Sequence, residues 1–210
     1  MNKQRKRSLW MAAGLLMAFV LWTAAVCTMD VQPIGPEGSS VGLAKLNGTF
    51  HRLTGVHMTL YDLTDQLSIL PLGLVAGFGL LGLWQWVQRK HLCKVDRSLL
   101  ALGGFYILVL AAFVGFEFAA VNYRPILIEG RLEASYPSST TMLSLCVLPT
   151  AAMQFKARGL GQGVSAALYA LTVFMVVARM ISGVHWLTDI IGGMLLSGGL
   201  VMLYRAAVEK

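Results

Sequence analysis

The chain has 210 residues, of which 56% are hydrophobic and 13% charged, with a mean hydropathy of +0.66 and a formal net charge of +7 at pH 7. Soluble domains are about 45–50% apolar and about 25% charged. This composition therefore excludes an ordinary water-soluble enzyme, a disordered chain and a nucleic-acid-binding domain. Cys27, Cys93 and Cys146 lie in or beside apolar segments without a CxxC pair, so we expect no disulfide framework and no zinc site.

Six segments are predicted to be membrane-spanning helices, because each approaches the roughly 20 mostly apolar residues that a span needs. They are Leu9–Thr28, Leu67–Val87, Ser98–Phe116, Ser138–Phe155, Leu160–Ala178 and Ile190–Tyr204. The first follows a basic cluster in residues 1–8, and we interpret it as a retained helix, with a cleaved signal peptide as the alternative. The expected fold is an all-α, integral-membrane six-helix bundle, formed as a single domain by residues 1–210.

The basic residues divide unequally between the two sides of this bundle. Twelve of the 17 Lys and Arg fall in the termini and loops of one side, and five fall in the loops of the other. The positive-inside rule places both termini in the cytoplasm. The positive charge is thus an orientation signal and requires no nucleic-acid partner. The basic N-terminus, without an organelle signal, favours a multi-pass protein of a bacterial inner membrane.

Residues 29–66 form a long outer loop in this topology. The loop contains an amphipathic stretch near residues 43–63, for which we expect one or two helices at the outer membrane surface. Within the spans, paired glycines are predicted to form small-residue packing faces between helices. These pairs are Gly73 with Gly77, Gly192 with Gly193, and Gly198 with Gly199.

Two outer segments, residues 122–140 and 179–189, hold the polar residues that suggest chemistry. Arg124, Arg131 and Arg179 lie in or beside them. Guanidinium groups suit phosphate, because they stay charged and donate two parallel hydrogen bonds. Both segments are therefore expected to contribute to an active site on the extracytoplasmic side.

His185 and Asp189 are four residues apart and would share one face of a helix. A carboxylate that accepts the proton of one ring nitrogen fixes the tautomer and leaves the other nitrogen free to act as a nucleophile. The alternative is an interfacial histidine beside an aspartate that caps the sixth span. Because charged groups near membrane segments are costly and usually functional, Arg179 favours the first interpretation.

Pro137 precedes a run of hydroxyl residues, which predicts the start of a helix. The free N–H groups of a helix N-terminus, with the hydroxyl of Ser138, form an anion site. Opposite Arg124 and Arg179, this site would hold three phosphate oxygens.

These residues resemble the motifs of the type-2 phosphatidic acid phosphatase superfamily, the membrane lipid phosphate phosphatases related to vanadium haloperoxidases. The family carries the motifs KxxxxxxRP, PSGH and SRxxxxxHxxxD. The third is nearly complete here, from Arg179 through His185 to Asp189, with Ala178 in place of its serine. The second reads Pro137-Ser138-Ser139-Thr140, with Thr140 in place of its histidine, and the first reads Arg124-Pro125, with Glu117 in place of its lysine.

The resemblance implies a role for each matching residue. His185 would attack phosphorus and form a phosphohistidine, and Asp189 would orient it. The phosphoryl oxygens would be bound by Arg124, Arg179, Ser138 and Ser139. No metal or cofactor is implied. No residue of the second motif can act as the general acid, since the Thr140 hydroxyl is far too weak an acid. In the first motif, the carboxylate of Glu117 would repel phosphate unless it is protonated or paired.

Three explanations of these departures stay open. In one, His51 or His57 supplies the acid, and Arg131 or Lys45 supplies the missing positive charge. In another, the leaving group is already activated, as in a diphosphate, and Glu117 pairs with a basic residue or contacts a cationic part of the substrate. In the last, the protein binds lipid phosphate without hydrolysing it efficiently.

The predicted function is a membrane lipid phosphatase that hydrolyses a phosphomonoester or diphosphate of a lipid at the outer membrane face. The alternative is a catalytically weak relative that binds or moves a phospholipid or polyprenyl phosphate. A further alternative is a structural or transport protein in which Arg179 and His185 serve only as interfacial anchors.

Overall fold

The computed structural model of the protein describes residues 2–209, and over that range the chain is helical apart from loops and three isolated β-bridges. Short 3₁₀ helices occur at Pro36–Gly38 and Leu92–Lys94. The eight α-helices are α1 Lys3–Thr28, α2 Ala44–Thr54, α3 Met58–Leu67, α4 Ile69–Arg89, α5 Arg97–Ala119, α6 Ser139–Ala157, α7 Gln162–Ile181 and α8 Leu187–Val208. The all-helical class expected from the sequence is confirmed.

Five segments within residues 2–209 are long and apolar enough to cross a membrane. They are α1, α5, α7, α8 and the nearly continuous α3–α4 segment, Met58–Arg89. Helix α6 is long enough, but its Ser, Thr, Gln and Lys residues dilute the apolar ones. Its position accounts for this composition, since 12 of its 19 residues are buried among α4, α5, α7 and α8. The predicted fourth span is therefore an interior helix.

Helix α8 lies at the centre of the bundle, and small residues let its neighbours approach closely. A Cβ atom at Gly199 would lie 2.7 Å from the Leu16 side chain on α1, and one at Gly192 would lie 2.7 Å from the Tyr136 ring. Packing faces predicted at these two glycine pairs are thus confirmed. The prediction is wrong for Gly73 and Gly77, where a Cβ would meet no atom within 4 Å, because that face of α4 is uncovered.

Helix α1 also forms hydrogen bonds with the segments around the start of α8. The Trp22 indole donates to the carbonyl of Thr188 at 3.1 Å, and the Thr23 and Tyr136 hydroxyls share a hydrogen bond of 2.7 Å. At the other end of α1, the Ser8 hydroxyl donates to the Glu209 carboxylate at 3.0 Å. The two ends of the described chain therefore lie together, opposite the loops that follow α1, α5 and α7.

The helices extend further than the predicted spans, and this changes the active-site loops expected at 122–140 and 179–189. Helix α7 continues through Arg179, because Ser182 still donates its N–H to the carbonyl of Ala178 and the backbone first turns at Gly183, with φ of 70°. Only residues 182–186 form the loop before α8. The other loop runs from residue 120 to Ser138, and Glu117 belongs to the last turn of α5.

Residues 29–66 contain the two predicted amphipathic helices, as α2 and α3. Helix α2 packs against α8, and α3 packs against α7 before continuing into α4 with a bend at Ser68. On α2, the fully buried Asn47 donates to the Thr188 hydroxyl at 2.9 Å and accepts from the Thr188 N–H at 3.2 Å. This segment therefore covers the end of the bundle where α8 begins.

We expect Gly199→Ala to lower the melting temperature, because its new Cβ overlaps Leu16 and overpacking costs about 1–3 kcal/mol. Gly115→Ala on α5 is the matched control, since a Cβ there meets no atom within 4 Å and alanine favours a helix. Thermal unfolding of both variants in detergent measures the difference. Equal melting temperatures would contradict the packing described for α1 and α8.

Candidate functional site

Asp189, in the first turn of α8, joins the three segments of the site. Its carboxylate is fully buried and accepts the N–H of Trp186 at 3.0 Å and the side-chain amide of Asn122 at 3.1 Å. Its backbone carbonyl accepts the N–H of Ser138 at 3.1 Å. One residue thus fixes the α5–α6 loop, the start of α6 and the α7–α8 loop relative to one another.

His185 lies beside this carboxylate and is 97% buried, with 3% of its surface exposed. Its Nδ1 is 3.6 Å from Oδ2 of Asp189, and its Nε2 is 3.4 Å from Nη1 of Arg124. Burial lowers the pKa of His185 to about 4, and the charges of Arg124 and Arg179 act in the same direction, against the opposing effect of Asp189. The imidazole is therefore neutral at pH 7. With its proton on Nδ1, facing Asp189, Nε2 is unprotonated and its electron pair accepts from Nη1 of Arg124.

Arg124 is placed by a hairpin-like excursion of residues 122–135. Its backbone N–H donates to the carbonyl of Glu133 at 3.0 Å, and Tyr123 bridges to Ala134 beside it. The side chains of the same pair also meet, with Nε of Arg124 3.0 Å from Oε2 of Glu133. This pairing directs the other end of the guanidinium, Nη1, toward His185.

Arg179, at the end of α7, is held by α3. Its Nη1 donates to the Thr64 hydroxyl at 3.0 Å and to the Tyr61 carbonyl at 3.3 Å, and its guanidinium carbon lies 4.5 Å from the centre of the Tyr61 ring. The Arg124 guanidinium lies 5.9 Å from the same ring. One aromatic ring therefore contacts both guanidinium groups.

Several buried polar atoms around these groups have no partner among residues 2–209. They include Nδ1 of His185, Nε of Arg179 and the hydroxyls of Ser135 and Ser138. A buried polar group without a hydrogen bond costs about 1–3 kcal/mol. Unpartnered donors beside the first N–H groups of a helix are typical of an anion site.

A cavity of about 300 Å³, here called the polar cavity, opens beside His185. The side chains that line it include cationic, anionic, hydroxyl and aromatic groups. It is lined by Phe113, Phe116, Glu117, Arg124, Glu133, Ala134, Ser135, Tyr136, Pro137, Ser139 and His185.

Gly55 and Gly183 bring the covering segment into contact with the turn before His185. A Cβ atom at Gly183 would lie 1.9 Å from the carbonyl oxygen of Gly55. Next to it, the N–H of His57 donates to the carbonyl of Ser182 at 2.9 Å. The α2–α3 connection is therefore packed directly on the loop that carries the imidazole.

Residues 100–210 match the family model of the PAP2 superfamily. The chain belongs to the PAP2 superfamily. Among curated proteins, none matches the sequence significantly. The fold is similar to a crystal structure described as the first transmembrane PAP2-type phosphatidylglycerolphosphate phosphatase from Bacillus subtilis, with a TM-score of 0.59 and 19% identity, covering 93% of this chain and 94% of that one. The family predicted from the motifs is confirmed, and the structural likeness supports a multi-pass membrane protein.

The PAP2 match begins in α5 and includes every residue of the three motif segments. Several other predicted site residues lie elsewhere. Neither Lys45 nor Arg131 lines the polar cavity, and Arg131 is exposed on the hairpin. His57 is exposed, and its Nε2 is bonded to the carbonyl of Thr54 at 2.8 Å. The centre of the His51 ring lies 5.4 Å from that of the Trp186 ring, and burial lowers the pKa of His51. Thr140 lines a separate apolar cavity.

Some residues of this PAP2 site were missed by the sequence reasoning. Tyr61, Thr64 and Glu133 belong to no motif, and Asn122 lies in the predicted loop of residues 122–140 without a motif of its own. The amphipathic pattern of residues 43–63 predicts helices, but it does not indicate which side chains meet Arg179. The pairing of Arg124 with Glu133 depends on the hairpin, which apolar periodicity does not reveal.

We expect His185 to stay neutral as the pH falls from its ordinary pKa of 6.5 toward about 4, because burial opposes the charged form. The ¹⁵N shifts of the imidazole, assigned by comparison with His185→Asn and followed from pH 8 to pH 4, measure this. His57, which is exposed, is the internal reference. A midpoint for His185 at or above 6.5 would contradict the environment described.

Proposed function

We propose that the protein is a lipid phosphatase that hydrolyses the phosphate ester of a membrane lipid through a phosphohistidine at His185. The chain belongs to the PAP2 superfamily, and its fold is similar to that of a PAP2-type phosphatidylglycerolphosphate phosphatase. The observation that carries the proposal is the neutral imidazole of His185, which lies between Asp189 and Arg124 and borders the polar cavity.

In this mechanism Nε2 of His185 attacks phosphorus, and the ester oxygen leaves. Arg124, Arg179 and the start of α6, with Ser138 and Ser139, stabilise the charge on the phosphoryl oxygens. Such preorganised donors in a buried site are usually the largest contribution to this kind of catalysis. The imidazole becomes positive as the N–P bond forms, and the carboxylate of Asp189 stabilises that charge. Water then attacks the phosphohistidine and releases phosphate.

The proposed topology has six crossings, with α6 as the interior one and both termini in the cytoplasm. The hydrogen bond between Ser8 and Glu209 supports it, because chain ends on one side require an even number of crossings. The charge asymmetry of the loops supports the orientation. The polar cavity would then open at the extracytoplasmic face, with residues 29–66 as the interfacial cover.

Two apolar cavities, of which the larger adjoins the polar cavity, support a lipid as the substrate. A cavity of about 630 Å³ lies between α4, α5 and α6 and shares Phe113 and Ser139 with the polar cavity. A second cavity of about 550 Å³ between α4 and α5 shares Val75, Tyr106 and Ile107 with the first. The two apolar cavities, here called together the chain cleft, therefore adjoin each other, and the larger one adjoins the polar cavity.

The length of the chain cleft suits a long hydrocarbon chain. Along α5 it extends from Phe113 to Leu99, which is about 21 Å at 1.5 Å per residue. The hydrocarbon core of a bilayer is about 30 Å thick. A chain whose phosphate lies at His185 could therefore follow the cleft past the middle of the membrane.

We expect His185→Ala to reduce phosphate release by at least about 10³-fold, because it removes the nucleophile. Purified protein in detergent is tested on phosphatidate, lysophosphatidate, phosphatidylglycerophosphate, and undecaprenyl mono- and diphosphate. His57→Ala, which alters an exposed histidine outside the polar cavity, is the control and should keep wild-type activity. Undiminished turnover in His185→Ala would disprove the mechanism.

We expect Gly103→Leu to lower kcat/KM for long-chain substrates by about tenfold, since its side chain would occupy the chain cleft, where a Cβ meets no atom within 4 Å. Gly77→Leu on α4 is the matched control, because Gly77 is equally unobstructed but lines neither apolar cavity. p-Nitrophenyl phosphate, which has no chain, should be hydrolysed equally by both variants. An equal effect of the two substitutions on long chains would exclude the cleft as the chain site.

One observation favours the alternative of a lipid-phosphate binder with little turnover. Thr140 lines the chain cleft, so the position where the family motif has histidine supplies no acid to the polar cavity. The same lipid panel distinguishes the two functions. A wild-type protein that binds these lipids and releases no phosphate from any of them would be a binder.

A further inference from the structure

The lining of the polar cavity contains two carboxylates that a phosphate site does not require. Glu117 and Glu133 border the same space as Arg124 and His185. Glu133 pairs with Nε of Arg124, whereas Glu117 has no ion-pair or hydrogen-bond partner among residues 2–209. A carboxylate in the last turn of a helix is also disfavoured by the helix dipole. Glu117 is exposed, so its carboxylate is open to a ligand that enters the polar cavity.

The walls beside these carboxylates are of a kind that binds organic cations. Phe113, Phe116 and Tyr136 line the polar cavity next to Glu117. Aromatic faces attract ammonium groups, and a carboxylate adds a direct ion pair. Ser135, which is 3% exposed, lines the same cavity, and its hydroxyl has no partner. The lining of one cavity thus combines two carboxylates, a buried hydroxyl and three aromatic rings with the guanidinium of Arg124.

The net charge of the segments at the end of the protein that contains the polar cavity also favours a cation. This end comprises the α1–α4 connection, the ends of α5 and α7, the hairpin and the start of α8. It contains eight of the ten Asp and Glu residues but only five of the 17 Lys and Arg residues. Such a surface attracts cations and repels a lipid that carries only phosphate charge. A substrate with its own positive group would overcome this repulsion.

We propose that the polar cavity takes a lipid phosphate that carries an ammonium group two carbons from the ester oxygen, with Glu117 and Glu133 binding the ammonium and Arg124 and Arg179 binding the phosphate. The inference rests on the proposed phosphatase function. It also accounts for the missing general acid, because the substrate brings an acidic N–H to the leaving oxygen.

The proposed reaction transfers the phosphoryl group first to His185 and then to water. Nε2 of His185 forms a bond to phosphorus, and the P–O ester bond breaks with its electron pair going to the ester oxygen. That oxygen takes one proton from the neighbouring ammonium, which gives a neutral amino alcohol and phosphohistidine. Water then attacks phosphorus, which releases phosphate and restores the imidazole, and the free amine regains a proton from solvent.

Three lipids with one chain separate binding of the cation from donation of its proton. They are sphinganine 1-phosphate, its N,N,N-trimethyl derivative, which keeps the charge but has no N–H, and its 2-desamino analogue. With the purified full chain in detergent, we expect kcat/KM for the amine to exceed that for the desamino lipid by about tenfold or more. The trimethyl lipid should keep the KM of the amine with a lower kcat.

Glu117→Gln should abolish the preference for the amine and raise turnover of the desamino lipid, because a repulsion of phosphate is removed. Glu129→Gln is the matched control, since Glu129 lies on the same hairpin as Glu133 but outside the polar cavity, and it should keep the wild-type preference. O-Phosphoethanolamine carries the same head group without a chain. A kcat/KM equal to that of sphinganine 1-phosphate would assign the head-group site to a soluble substrate.

The outcomes separate this inference from the function on which it rests. Equal kcat/KM for the amine and desamino lipids in the wild type, or a preference that survives Glu117→Gln, would overturn the ammonium site and leave the phosphatase intact. Equal kcat for the amine and trimethyl lipids would overturn the proton transfer. Absence of phosphate release from all of these lipids and from the larger lipid panel would overturn both proposals.

Discussion

The buried carboxylate of Asp189 is the interaction on which the site depends. It accepts hydrogen bonds from Asn122 and from the backbone of Trp186, and it lies beside the imidazole of His185. A buried charge is stable only when its partners are in place, and removal of one partner of such a group costs several kcal/mol. The three segments that meet at Asp189 are therefore fixed by electrostatics as well as by apolar packing, and the geometry around His185 follows from that constraint.

The surroundings of Asp189 explain why an anion site forms here inside an apolar protein. Arg179 is almost fully buried, and its guanidinium is held by the backbone and hydroxyl of α3 and by the Tyr61 ring. Among residues 2–209, no carboxylate lies within ion-pair distance of it. Its positive charge is solvated by dipoles and by an aromatic face, and it stays available to a ligand. The neighbouring Arg124 is partly neutralised by Glu133. The two arginines thus differ in how far their positive charge is neutralised, although the motif resemblance implies the same phosphate-binding role for both.

The sequence predicted the helices better than it predicted their ends or their partners. Long apolar runs fixed the positions of α1, α4, α5, α7 and α8, since their length and hydropathy leave little alternative. The third motif located His185 and Asp189, but they do not share a helix face as their spacing predicted, because His185 lies in the loop before α8 and that loop brings its ring to the carboxylate. A charged residue is expected to end a membrane span, which predicts Arg179 and Glu117 outside the helices, whereas both lie in helical backbone.

Contacts between distant segments could not be read from local pattern. Arg179 is held by Tyr61 and Thr64, which lie more than a hundred positions away in the sequence. The periodicity of apolar residues does not predict such a contact. The failed prediction at Gly73 and Gly77 has a related cause. Small residues permit close packing but do not require it, and on this face of α4 no helix covers them.

The contacts of α1 have a consequence for biogenesis. This helix lies outside the region that matches the family model, yet it packs on Gly199 and bonds through Trp22 and Thr23 to Thr188 and Tyr136. Removal of this helix by a peptidase would uncover the glycine face of α8 and break the hydrogen bonds that hold Thr188 and Tyr136 beside Asp189. Retention of α1 is therefore a condition for the packing around the start of α8, and cleavage behind it would cost the site part of its support.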